Sequence, residues 1–193
     1  MLRGHDDEVT CVVVSSELNT VLSGSRDGTA ILFSLHSGHY VRTIPHPSAA
    51  SVDLVALSSI GGIAVYSLHD QVLHSCTMNH RHSEPPLASV GAGERLAALC
   101  FNPTGEVLLS AGEQGVVVLR HPHTLAVLHE LRASSAESPG GSGPLRCLAL
   151  SPGEEYVLAG SQRGSLLVWA LPCPAEKEVA DALEHAFATP LGL

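Results

Sequence analysis

Val21-Leu22-Ser23-Gly24-Ser25-Arg26-Asp27-Gly28-Thr29-Ala30-Ile31-Leu32-Phe33-Ser34-Leu35 reads as strand, tight turn, strand. Val21 and Leu22 open an apolar run, Arg26-Asp27-Gly28 supplies a turn whose glycine tolerates positive φ, and Ala30 to Leu35 resumes with apolar residues on both faces. A hairpin apolar on both faces is one buried on both sides. Upstream, Gly4-His5-Asp6-Asp7-Glu8 is a polar turn feeding a third apolar run, Val9 to Val14, so three strands follow one another as a meander.

The unit returns around Gly115, within Val107 to Leu119, and around Gly164, within Tyr156 to Trp169. A weaker copy, Val52 to Tyr66, centres on Gly61. The turn glycines Gly28, Gly61, Gly115 and Gly164 stand 33, 54 and 49 residues apart. Five residues beyond them come Phe33, Tyr66, Arg120 and Trp169, and the three aromatic ones suit rings packed between neighbouring sheets.

A four-stranded unit of about 40 to 50 residues, with Gly-His before its first strand and an aromatic ending its third, resembles a propeller blade of the WD-repeat family. The resemblance covers nearly the whole chain and implies an all-β fold, a partial WD-type propeller of about four blades. It also implies a hydrogen-bonded set that holds a blade together: His5, Ser23 and Asp27 in the first unit, where Phe33 replaces the usual Trp and has no N–H to donate. The third unit keeps Ser110 but has Gln114 and Arg120; the fourth keeps Trp169 but has Ala159 and Arg163. The run Leu2-Arg3-Gly4-His5-Asp6-Asp7-Glu8-Val9-Thr10-Cys11-Val12, with Ser58-Ser59 and Gly115-Val116-Val117, is similar to the C-terminal propeller of BEACH-domain proteins, the neurobeachin and neurobeachin-like group.

In chain order, blades are expected at about residues 1–46, 47–78, 88–132 and 145–171, with loops at 79–94 and 133–144. The 33-residue spacing leaves the second blade a strand short, with Val52 to Leu57, Ile63 to Leu68 and Gln71 to Thr77 as its remaining strands. The fourth lacks its outer strand. In its place Pro174 to Phe187 reads as an amphipathic helix within a tail from 172 to 193: Pro174 suits a first helical position, and Val179, Leu183 and Phe187 share a face. Leu2-Arg3 stands where the outer strand of a preceding blade would end, so the sequence reads as cut from a longer chain.

Composition narrows the function. The net charge is −9 and the ten basic residues are scattered, which leaves no footprint for neutralising phosphates, so no nucleic-acid partner is expected. No apolar run approaches the ~20 residues of a spanning helix, so no direct membrane insertion is expected either. Five cysteines, an odd number set mostly inside expected strands, suit reduced core residues of a cytoplasmic protein. The pairs His80/His82 and His121/His123 lie in turns without Cys or carboxylate partners at ligand spacing, so no metal and no cofactor is expected. His5, Ser23 and Asp27 look like a catalytic triad, but the repeat already accounts for them, so no enzyme is expected.

What remains is a non-catalytic scaffold that binds proteins through loops on a rigid frame, with the acidic turn Asp6-Asp7-Glu8 as a possible contact rim for a basic partner. The BEACH resemblance implies work in vesicle trafficking and secretory-granule biogenesis, peripheral to endomembranes through a parent protein. Two alternatives stay open: an adaptor of another complex, such as a ubiquitin ligase substrate receptor, and a propeller enzyme using the central channel.

Overall fold

The computed structural model describes residues 2–79, 86–132 and 143–171. The helix expected at 174–187, the Gly/Ser/Pro stretch 133–142 and the pair His80/His82 lie outside the described residues. The described strands form four antiparallel sheets, each a meander in chain order. The first holds β1 (Val9–Ser15), β2 (Thr20–Ser25), β3 (Thr29–Ser34) and β4 (Tyr40–Pro45). The second holds β5 (Leu54–Leu57), β6 (Gly62–Tyr66), β7 (Val72–Thr77) and β8 (Ala88–Gly91). The third holds β9 (Leu96–Phe101), β10 (Leu108–Gly112), β11 (Val116–Arg120) and β12 (Val127–Arg132), and the fourth β13 (Leu145–Leu150), β14 (Tyr156–Ser161) and β15 (Leu166–Ala170). The fold is an all-β partial propeller of four blades.

Burial follows the apolar pattern. β2, β6, β10 and β11 are buried along their whole length, and they lie in the middle of blades whose two faces are both covered. The outer strand β12 is mostly exposed, and half of the outer strand β4 is. The innermost strands β1, β5, β9 and β13 stand in series, each beside the next. Three core clusters fill the junctions between blades. Leu22, Leu32, Val52 and Ile63 join the first blade to the second; Tyr66, Leu73, Leu96 and Leu108 join the second to the third; Leu109, Val117, Leu145 and Val157 join the third to the fourth. Among the described residues no cluster joins the fourth blade back to the first.

The second blade departs from expectation. It has four strands, with β5 innermost and β8 outermost, and β8 falls inside the stretch expected as loop 79–94. The strands expected to be its second, third and fourth are therefore its first, second and third. Turn chemistry explains the slip. The turns between second and third strands place Gly28, Gln71, Gly115 and Gly164 at positive φ, at intervals of 43, 44 and 49. The turns between first and second strands use Asn19, Gly61, Gly105 and Glu154 in the same way. Gly61 is thus the counterpart of Asn19, not of Gly28. Gln71 holds φ 56 with a side chain in place, so following glycines shifts the second unit by one strand.

A second correction concerns Phe33. It groups with Val21 and Ile31 on the face of the first blade turned away from the second, with no other described blade beside it. The N-terminal segment covers this group: a Cβ on Gly4 would lie 3.3 Å from Ile31 Cδ1 and 3.5 Å from Phe33 Cζ. Tyr40 meets the Phe33 ring edge-on at 6.4 Å. Phe33 is buried, but not between two described blades.

Candidate functional site

His5 enters from the leading turn and reaches both β2 and the β2–β3 turn. Its Nδ1 lies 2.9 Å from Asp27 Oδ2 and its Nε2 2.8 Å from Ser23 Oγ. Ionised Asp27 only accepts, so a neutral His5 carries its proton on Nδ1 and takes the Ser23 hydroxyl on Nε2. Asp27 also accepts the backbone N–H of Asp6 at 2.9 Å, the Thr29 N–H at 2.9 Å and the Thr29 hydroxyl at 2.6 Å. Burial alone would raise the Asp27 pKa; the bonds from Thr29, Asp6 and His5 outweigh it and hold the carboxyl at about 2. The three residues tie the leading turn to the hairpin. Ser23 is itself buried, and its Oγ stands 3.5 Å from the Ile31 carbonyl.

The third blade solves the same problem with reversed charge, which sequence reasoning missed. Glu94, in the loop before β9, accepts the Gln114 backbone N–H at 2.6 Å. Arg120 ends β11 and donates toward Ser110 Oγ at 3.5 Å and the Leu125 carbonyl at 3.3 Å. Both charged side chains belong to buried residues. Burial raises the Glu94 pKa and lowers that of Arg120, and each one's charge counters the other's shift. The available signal was Arg120 itself, since an Arg closing the apolar run Val116-Val117-Val118-Leu119 needs acceptors nearby.

Tyr66 is fully buried at the junction of the second and third blades, reaching it from β6, a second strand. Its hydroxyl donates to the Glu94 carbonyl at 3.0 Å and accepts the Leu96 N–H at 3.1 Å. Trp169 is half-buried against the cluster joining the third and fourth blades, and its Nε1 donates to the Arg132 carbonyl of β12 at 3.1 Å.

The surfaces left for recognition are loops. Asp6, Asp7 and Glu8 are exposed in the turn before β1, and Glu8 pairs with Arg26 at 2.8 Å with both side chains well solvated, an interaction worth at most about 1 kcal/mol. At the far end of the innermost strands lies an open cavity of about 430 Å³. Val14, Leu57, Phe101 and Leu150 bring all four blades to its wall, with Glu17 as its carboxylate and Cys100 as its thiol. Burial pushes Cys100 up to about 11 and Cys76 up to about 12, so both are protonated at neutral pH and are poor nucleophiles. His121 Nδ1 faces the N–H groups of His123 and Thr124 at 3.2 and 3.3 Å, which gives that ring a turn-closing role. Among the described residues no helix is long and apolar enough to cross a membrane.

Comparison with known proteins agrees with this geometry. A family model, the neurobeachin beta propeller domain, matches residues 1–179. BEACH domain-containing protein B of Arabidopsis thaliana is 36% identical over 178 residues, 92% of this chain. BEACH domain-containing protein lvsE of Dictyostelium discoideum is 25% identical over 177 residues, 86% of this chain. The chain spans only 6% and 8% of those two proteins. Among solved structures, the Cps50 (Swd1) beta-propeller domain of Myceliophteria thermophila superposes with a TM-score of 0.71 at 20% identity, covering 90% of this chain and 55% of that one. The computationally designed Ika4 protein superposes with a TM-score of 0.68 at 19% identity, over 89% of this chain and 96% of that one. With the family model matched along nearly all of its length, the chain belongs to the neurobeachin beta-propeller domain family.

Proposed function

We propose that this chain is a protein-binding propeller segment of a BEACH-type protein, recruiting partners for vesicle trafficking and secretory-granule biogenesis at the cytoplasmic face of endomembranes. The observation that carries the reading is the family match over residues 1–179, on a frame whose His5–Ser23–Asp27 and Glu94–Gln114 networks are taken up in tying turns to strands. The loops are left as the surface for recognition. The exposed turn Asp6-Asp7-Glu8 is the contact for a basic partner, because an acidic rim steers such a partner on and suppresses others.

Proximity labelling with the tagged chain in a secretory cell line tests this. Vesicle and granule proteins are expected to dominate the labelled set, and at least one basic partner is expected to be lost when Asp6, Asp7 and Glu8 are changed together to Lys. A labelled set dominated by ubiquitin-ligase subunits would replace the reading with the adaptor alternative.

A further inference from the structure

His46, Asp70 and His74 come together at the junction of the first and second blades. His46 directly follows β4, its N–H bonded to the Gly28 carbonyl at 2.8 Å; Asp70 lies in the β6–β7 turn, and His74 lies on β7. Both rings are buried, with His46 4% and His74 7% exposed, and they meet edge to face with centroids 4.5 Å apart. One ring nitrogen from each histidine and a carboxylate oxygen of Asp70 lie within 4.8 Å of one another. The sequence hid this grouping because His46 comes from another blade, far along the chain from the other two.

The hydrogen bonds fix how the rings present themselves. Ser48 Oγ donates to Asp70 Oδ2 at 2.6 Å, so its one proton is spent there, and at 2.9 Å it must accept from His46 Nδ1. His46 therefore carries its proton on Nδ1 and leaves Nε2 as a bare lone pair. His74 Nδ1 has Ser89 Oγ at 2.7 Å. Both Nε2 atoms are buried, and among the described residues no hydrogen-bond partner reaches either of them. Buried polar atoms seldom go unpaired, and two in contacting rings point to a shared ligand. Burial first, and the neighbouring His46 second, bring the His74 pKa down to about 4; burial likewise lowers that of His46. Burial acts against ionisation of Asp70 as well, but bonds from Ser48 and the Val72 N–H keep its carboxyl below the usual range.

We propose that His46, Asp70 and His74 bind one late first-row divalent cation, Zn²⁺ foremost, as a staple between the first and second blades. Two imidazoles and one carboxylate suit Zn²⁺, whereas Ca²⁺ and Mg²⁺ require all-oxygen sets. Ligands held about 2.1 Å from a tetrahedral ion stand about 3.4 Å apart, so groups that now lie within 4.8 Å of one another draw together on binding. Ser48 and Ser89 take up the two Nδ1 atoms and leave the Nε2 atoms for the ion, as outer-shell partners of metal ligands do. Asp70, with its side chain 23% exposed, gives the ion its way in.

The test titrates the metal-stripped 193-residue chain with Zn²⁺ by calorimetry and with Co²⁺ by visible absorption. Expected are one tight equivalent, the absorption of a four-coordinate Co²⁺ site, and a melting temperature raised by Zn²⁺ and lowered again by chelator. Asp70→Asn, on a partly exposed turn, should weaken binding at least about tenfold and His74→Phe at least about a hundredfold, while His121→Ala with His123→Ala leaves it unchanged. If His74→Phe fails to fold, Asp70→Asn with an unchanged circular dichroism spectrum still decides. No stoichiometric binding, or binding indifferent to Asp70→Asn and His74→Phe, would mean only surface histidines or a bridging water, and would overturn the site.

Discussion

The third and fourth blades carry third strands of similar apolar content, Val116-Val117-Val118-Leu119-Arg120 and Leu166-Leu167-Val168-Trp169-Ala170, and bury them differently. β11 is buried at every position. In β15 Leu167 and Trp169 turn toward the third blade, while Leu166 and Val168 remain 67% and 55% exposed. A strand apolar on both faces is made for cover on both, and the fourth blade receives it on one among the described residues. The first blade meets the same situation with the chain itself, since the segment around Gly4 lies over Ile31 and Phe33. Apolar content therefore reports what a strand is built to contact, and burial reports what it contacts.

The largest effect should fall where two blades are joined on both sides of a ring. Tyr66→Ala removes a fully buried ring and leaves the Glu94 carbonyl and Leu96 N–H unpaired, at about 3–5 kcal/mol in urea melts. Trp169→Ala, half-buried in the fourth blade, should cost about 1–3 kcal/mol by the same measure. Equal costs would erase the distinction between inner and end blades.

The two polar networks should separate under acid. Asp27 falls from an ordinary 3.8 to about 2 on folding, so its contribution is fully present above pH 4 and is lost as pH drops toward 2. That loss is on the order of 2 kcal/mol and should vanish in Asp27→Asn. Glu94 has the opposite sign: with its folded pKa raised, folding takes up a proton, so its contribution improves as pH falls through the carboxylate range. Stability curves for Glu94→Gln should lose that small acid-side gain, and a Glu94→Gln protein that instead becomes more acid-labile by the Asp27 amount would sink the contrast.

The fold was legible because Gly28, Gly115 and Gly164 mark three equivalent turns and Gly-His precedes the first blade. The slip in strand order came at Gln71, which takes a conformation that glycine usually signals. His5, Ser23 and Asp27 were legible because all three fall on one blade's motif. Glu94 with Arg120, and His46 with Asp70 and His74, were not. Each set is assembled across turns or blades, so no local spacing announces it; Arg120 at the end of an apolar run hints at a need for acceptors, and burial shows which side chains meet it.

The smallest effect on stability should be the most informative about the end face. Leu166→Lys with Val168→Lys places charges on a face that is already solvated, so the melt should move by less than about 0.5 kcal/mol. Leu167→Lys, one residue along, points the same charge into the core of the third and fourth blades and should cost about 2 kcal/mol or more. Self-association should move the other way. An apolar face beside the edge of β15, which no described strand pairs, invites another chain, and lysines there are the usual protection, so light scattering of the double variant should fall while that of Leu167→Lys does not. If the double variant destabilises as much as Leu167→Lys does, the face is covered in solution. Repeating the pair in a chain ending at residue 173 then identifies the cover: a cost that disappears assigns it to residues 174–193, and a cost that persists assigns it to a second copy, which dilution would confirm.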